Sequence, residues 1–339
     1  MKYRRLGTSD IRVSEVSLGC WTLGGLNWIE GHATGWANVD PYEIESAIKI
    51  GIDGGINHFD NADVYGNGDA ERLLASCLQN IGIKSDSFII ASKVGHYKGT
   101  SAHAYEKIHI RRQCEQSLIN LRREYLDIYY LHHADFGPKD RYLNDAAETM
   151  QALQAEGKIR LIGQSAYRSS HFKKSVPIIK PTVLQSWAHA MDTRFVERSS
   201  IVGQLLEKND LSFIAFSPLN QGLLLDKFDP ESPPVFELGD HRRNSPKFSK
   251  EALARLAPQL NALKCRFGNS ALDLASVALR FVLNNNRIAC VIPGFRNERQ
   301  VSCNLTACDR ELNKEDMAFI RDVFSKTNTK AATANKTNG

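Results

Sequence analysis

Eight short apolar runs, each followed by a longer amphipathic stretch, limit what this chain can fold into. They lie at 16–19, 56–60, 88–92, 127–131, 159–163, 182–186, 212–216 and 289–293. Buried parallel strands read as brief continuous apolar runs and are joined by crossover helices, so the alternation predicts an α/β fold with a parallel sheet. The intervening segments carry apolar residues three or four apart, as at Leu74, Cys77, Leu78 and Ile81, the spacing of one helical face. The first helix has its own start signal: Asp40 as N-cap, Pro41 in the first turn and Glu43 at the capping-box position. Eight strands with about eight helices point to a closed (β/α)8 TIM barrel. A doubly wound open sheet has the same period and stands as the rival.

Residues 2–13 read as a β-hairpin ahead of the first barrel strand, with Ile11 and Val13 alternating after the turn residues Gly7 to Asp10, placed to plug the barrel floor. Segments 20–40 and 217–250 exceed ordinary loop length, and both follow strands at the presumed top face. The stretch 326–339 has almost nothing to bury and is expected to be a disordered tail, leaving one barrel domain over 1–325. Three lysines of that tail account for most of the net charge of +5, so the body is nearly balanced and carries no nucleic-acid footprint. No apolar stretch reaches the ~18 residues that suggest a membrane span, and the amino end lacks the apolar core of a secretory signal. The expectation is a cytoplasmic protein without a membrane partner. Seven cysteines with no CxxC or Cys/His ligand spacing are expected to be reduced, mostly buried thiols, with no metal. Oligomeric state is not legible.

Polar residues stand where the apolar runs stop: Asp60, Lys93, His132, Ser165, Gln185 and Ser217. Barrel closure would bring these carboxyl ends to one rim, where active sites of such barrels sit. Tyr65 follows Asp60 by five residues, at a turn closed by Gly66, and can swing back over the rim as a proton donor. A nearby ammonium favours a phenolate, so Lys93 is expected to lower the Tyr65 pKa, with Asp60 orienting Lys93 and His132 donating to the same substrate oxygen. Taken singly, each has an ordinary alternative: a cap for Asp60, a solvated strand end for Lys93, a core imidazole for His132, packing for Tyr65.

In order and spacing, FDNADVYG, SKVG, LDIYYLH, GKIRLIGQS, SPLNQGLL and VIPGFRN resemble the aldo-keto reductase superfamily over residues 1 to about 325. The resemblance extends more weakly to a bacterial branch of inositol-operon and general-stress oxidoreductases. It implies the barrel, a tetrad of Asp60, Tyr65, Lys93 and His132, and an NADP(H) cofactor, with NAD(H) a possibility, that passes hydride to or from a carbonyl carbon. Ser165, Gln185 and Phe216 would hold the nicotinamide. Ser217, Leu219, Gln221 and Gly222 would line the pyrophosphate, Gly294, Arg296 and Asn297 the adenosine phosphate, and Gln300 and Asn304 would face adenine. GNGDAE after Tyr65 lacks the third glycine of a Rossmann fingerprint and reads as a turn into a helix.

This chain departs from the family at Ala166, where an Asn usually follows the Ser; at Phe216, usually Tyr; at Asn61, a common Thr; and at Cys303, often an acid. Trp21, Trp28, His32, Asp63, His133 and Phe136 are candidates for a mixed aromatic and polar substrate pocket, with a loop-packing role open for each. A sugar-like carbonyl and an aromatic aldehyde both suit that mixture. His241, Arg242 and Arg243 read as a solvated cluster, with contact to cofactor phosphates as the alternative. The potassium-channel β-subunit branch supplies a second functional reading, a nicotinamide-sensing regulatory protein with little turnover.

Overall fold

The computed structural model describes residues 1–29 and 31–334. Each apolar run forms a strand: Leu18–Gly19, His58–Asp60, Ile89–Val94, Leu126–Leu131, Ile159–Ser165, Val183–Trp187, Ser212–Phe216 and Ile288–Ile292. All pair in parallel and in chain order. First and last meet through Ser17 N–H to Val291 O at 3.0 Å and Gly19 N–H to Pro293 O at 3.1 Å. The sheet therefore closes into a (β/α)8 barrel, and the open-sheet rival falls.

The first helix, Pro41–Asp53, begins where its cap directs: Asp40 Oδ1 accepts from Tyr42 N–H at 2.9 Å. The amino-terminal hairpin pairs Tyr3–Arg5 with Arg12–Ser14, and Leu6, Ile11 and Val13 pack against Ile128, Val183 and Ile214 inside the barrel. Burying these side chains against the interior stabilises the hairpin, since a two-stranded ribbon alone is marginal in water. A second, larger apolar layer fills the space between strands and helices. The hairpin is also tied down electrostatically: the fully buried Glu15 accepts from Arg280 at 2.6 and 3.0 Å and from Arg4 at 3.3 Å.

The last helix runs Lys314–Ala334, past the point where the sequence placed the end of the domain, and residues 335–339 lie outside the described residues. Among the described residues no helix is long and apolar enough to cross a membrane.

The two long segments meet over the barrel's upper end. Gly35 N–H donates to Gly239 O at 3.2 Å, His241 N–H to Gly35 O at 3.0 Å, and Ala37 N–H to Asp240 Oδ2 at 3.3 Å. Asp240 also takes a two-point ion pair from Arg242, whose guanidinium lies 4.5 Å from the Trp36 ring centre and 4.2 Å from that of Phe236. The solvated-cluster reading of Arg242 is corrected here. Asp240, two residues away, pairs the buried guanidinium while the Phe236 and Trp36 rings shield it from water, and the Trp36 contact, from some two hundred residues away in sequence, leaves no local signal.

Candidate active site

At the carboxyl end of the barrel, strands two, three and four deliver Asp60, Lys93 and His132 to one place. Lys93 is fully buried and donates to Asp60 Oδ1, to Asn61 O at 2.7 Å and to the Tyr65 hydroxyl at 3.2 Å. Tyr65 gets there through the turn after strand two. Gly66 has φ of 59°, and a Cβ there would stand 2.2 Å from Gly24 O, so only glycine lets the turn press against the first loop. The His132 ring meets Tyr65 edge-on at 5.8 Å between centroids. Gln185, reaching from strand six, donates its amide to Asp60 Oδ2 at 2.7 Å and so locks the carboxylate from the other side.

Burial shifts two of these groups, Tyr65 and His132, in opposite directions. Burial, followed by Asp60, Cys20 and Asp63, pushes the Tyr65 pKa well above that of an ordinary phenol. This reverses the expected direction. Lys93 does donate to Tyr65, but its charge is spent on Asp60, and desolvation of a phenolate outweighs what remains. Burial, then His96, Lys93 and His133, holds His132 well below the usual imidazole value. Tyr65 is thus a neutral acid and His132 a neutral imidazole, beside a Lys93–Asp60 ion pair.

A cavity of about 490 Å³ opens above them. Asp60, Tyr65, His132, Gln185, Phe216, Ser217, Leu219, Gln221, Gly222, Gly294, Arg296, Gln300 and Asn304 line it, as does Trp21. Several anticipated residues do not. Ser165 is buried at 1% exposure outside the lining, and Asn297 instead caps the helix Glu298–Leu305 by accepting from Gln300 N–H at 3.1 Å. Trp28 and His32 lie on an exposed two-stranded ribbon, where Trp28 packs over Gly239. Asp63 is buried, with burial and then Glu71 raising its pKa, and it lies outside the lining.

His133 and Phe136 are corrected from pocket to framework. His133 Nδ1 accepts from Asp135 N–H at 3.1 Å, which leaves Nε2–H to donate to Gly95 O at 2.7 Å. Phe136 is fully buried against Tyr105. In their place the cavity takes His96 and Tyr167 beside His132, and Lys227 and Arg242 at the far end. Sequence reasoning missed His96 and Tyr167. The signal was their position just beyond the third and fifth strands, on the rim itself.

The far end has the character of an anion site. Among the described residues neither Lys227 nor Arg296 has a salt-bridging carboxylate, and Arg296 donates only to Ala37 O, at 2.6 Å. Burial, then the neighbouring Arg242, pushes the Arg296 pKa down, with Asp240 opposing the shift. The backbone after strand seven turns through positive φ at Ser217, Asn220, Gln221 and Gly222 (51°, 45°, 59° and 89°). Non-glycine residues hold such angles at a cost, and left-handed runs present backbone N–H groups to anions. Gln221 Oε1 and Asn304 Nδ2, both buried, have no protein partner. Unpaired cations and open amide valences fit a phosphorylated nucleotide cofactor.

Comparison with known proteins agrees with this geometry. The profile of the aldo/keto reductase family matches residues 15–324. The L-glyceraldehyde 3-phosphate reductase of Escherichia coli O157:H7 is 27% identical over 335 residues, spanning 94% of this chain and 91% of its own. A probable voltage-gated potassium channel subunit beta of Arabidopsis thaliana is 24% identical over 324 residues, 91% of this chain and 92% of its own. The solved structure of a glycerol dehydrogenase from Gluconobacter oxydans superposes with a TM-score of 0.78 at 24% identity, covering 96% of this chain and 95% of the other, which speaks for the fold. With the family profile running over nearly its whole length and a closed barrel beneath it, the chain belongs to the aldo/keto reductase family of oxidoreductases, which use nicotinamide cofactors.

Proposed function

We propose that this protein reduces a small-molecule carbonyl to an alcohol, or oxidises the alcohol in reverse, with NADP(H) as cofactor and Tyr65 as the proton-transferring acid and base. The observation that carries this reading is the Tyr65 hydroxyl 3.2 Å from Lys93 Nζ, on the floor of the cavity. When bound, the cofactor supplies or accepts hydride at its nicotinamide ring. Tyr65 gives its proton to the carbonyl oxygen as that hydride reaches the carbon, and Lys93 donates to the phenolate oxygen as charge develops there. His132, neutral, donates a second hydrogen bond to the same oxygen. Phe216 would lie against the nicotinamide ring, while Lys227, Arg242 and Arg296 would hold phosphates. Steady consumption of NADPH with 4-nitrobenzaldehyde tests the reading, and its absence from folded protein would refute it.

A second reading, a cofactor-binding regulatory protein with little turnover, draws support from the similarity to a channel β subunit and from Ala166, which lacks a side-chain amide for the nicotinamide. The complete Tyr65–Lys93–His132 arrangement favours turnover.

Two results are expected of the enzyme. Arg296→Ala should weaken NADPH by roughly tenfold or more, since a hydrogen bond to a charged group contributes ~1.5–3 kcal/mol, and should leave NADH nearly unaffected. Fluorescence-quenching titrations with both cofactors measure this, and equal losses would remove the phosphate role. The pH dependence of kcat/KM for reduction should be flat from about pH 6 to about pH 9. His132 carries no proton to lose in that range, and Tyr65, with its pKa raised, keeps its own; activity falls only as the phenol ionises at higher pH. An inflection at the ordinary imidazole pKa of ~6.5 would contradict the neutral His132.

A further inference from the structure

The cavity floor is asymmetric about the point where a carbonyl oxygen must sit to meet both Tyr65 and His132. On one side stands an aromatic wall: Trp21 lies parallel to Tyr65 at 6.1 Å and 25°, backed edge-on by Trp36 at 5.4 Å. On the other side the His96 ring lies 4.5 Å from His132 between centroids, and His96 Nε2 is 3.2 Å from the Tyr167 hydroxyl. Tyr167 is steadied by Trp187, stacked at 6.3 Å, and by the edge of Phe216 at 6.4 Å. None of these contacts is needed to protonate a carbonyl. They place two hydrogen-bonding side chains in the cavity lining next to His132.

We propose that His96 and Tyr167 select carbonyl compounds bearing a hydroxyl on the carbon beside the reacting one, the α-hydroxy aldehydes and ketones of sugar chemistry. The inference rests on the carbonyl-reducing function proposed above and names its substrate class. Burial, then His133 and Lys93, lowers the His96 pKa to about 4, so the imidazole is neutral, with one N–H and one lone pair. Tyr167 has a donor and lone pairs of its own. The pair spends one hydrogen bond internally and keeps both a donor and an acceptor for a hydroxyl. A hydrocarbon substituent in the same place would strip water from these groups and return nothing. Tyr167 is 42% exposed, so water can recover part of that loss. Discrimination should therefore be on the order of tenfold, far below that of a fully closed hydroxyl site.

The test compares lactaldehyde with 2-methylpropanal, which differ by a hydroxyl in place of a methyl, using NADPH. The wild-type protein is expected to favour lactaldehyde in kcat/KM by about tenfold, and Tyr167→Phe and His96→Leu to bring that ratio close to one. NADPH quenching reports that each variant keeps its folded cofactor site. A wild-type ratio near one, or a ratio unchanged in both variants, overturns the inference. Turnover of 4-nitrobenzaldehyde with neither small aldehyde accepted also overturns it, while leaving the enzyme reading intact. No turnover with any of the three overturns both.

Discussion

Replacing Tyr65 by Phe is expected to lower turnover by roughly 10²- to 10⁴-fold, the usual contribution of a positioned general acid, while NADPH still quenches protein fluorescence with near-normal affinity. The ring would remain between Trp21 and His132, where its packing partners are, so the cofactor site need not move. Only the hydroxyl 3.2 Å from Lys93 is lost. Wild-type turnover in this variant would end the assignment of Tyr65 as proton donor. A parallel collapse of NADPH binding would instead make Tyr65 part of the cofactor seat.

Lys93→Met should be the most destabilising single change at the site. Lys93 is fully buried and Asp60 is 2% exposed, so the variant leaves a carboxylate inside the barrel with only the Gln185 amide on its other oxygen. Breaking a buried pair in this way costs about 3–5 kcal/mol, readable as a lower urea midpoint, and turnover should fall with it. Asp60→Leu combined with Lys93→Met should regain much of that stability, because an apolar pair of similar volume carries no desolvation penalty. It should regain none of the turnover. A single variant as stable as wild type would show that the pair is not holding charge in the interior.

What the sequence disclosed follows from the range over which each signal acts. Strands were legible because burial on both faces writes a continuous apolar run; Ser212–Phe216 matches its run residue for residue, and the others shift by one or two positions at their ends. The meeting of Asp60, Lys93 and His132 was legible because barrel closure turns strand ends into neighbours, and that of Tyr65 with them because a short turn follows Asp60. The loops were not. The seam from Gly35 and Ala37 to Gly239 and Asp240 joins segments some two hundred residues apart, and nothing in WANVD or ELGDHRR announces the other. His133 reads like a site residue because it adjoins His132, but successive residues on an extended segment face opposite ways, and this one is consumed by Gly95 and Asp135. The direction of the Tyr65 pKa was misjudged because spacing reveals a neighbouring lysine and not how far water is excluded around both.

The stopper formed by Leu6, Ile11 and Val13 bears on traffic through the molecule. With the lower opening sealed, guest molecules must arrive and depart by the same doorway.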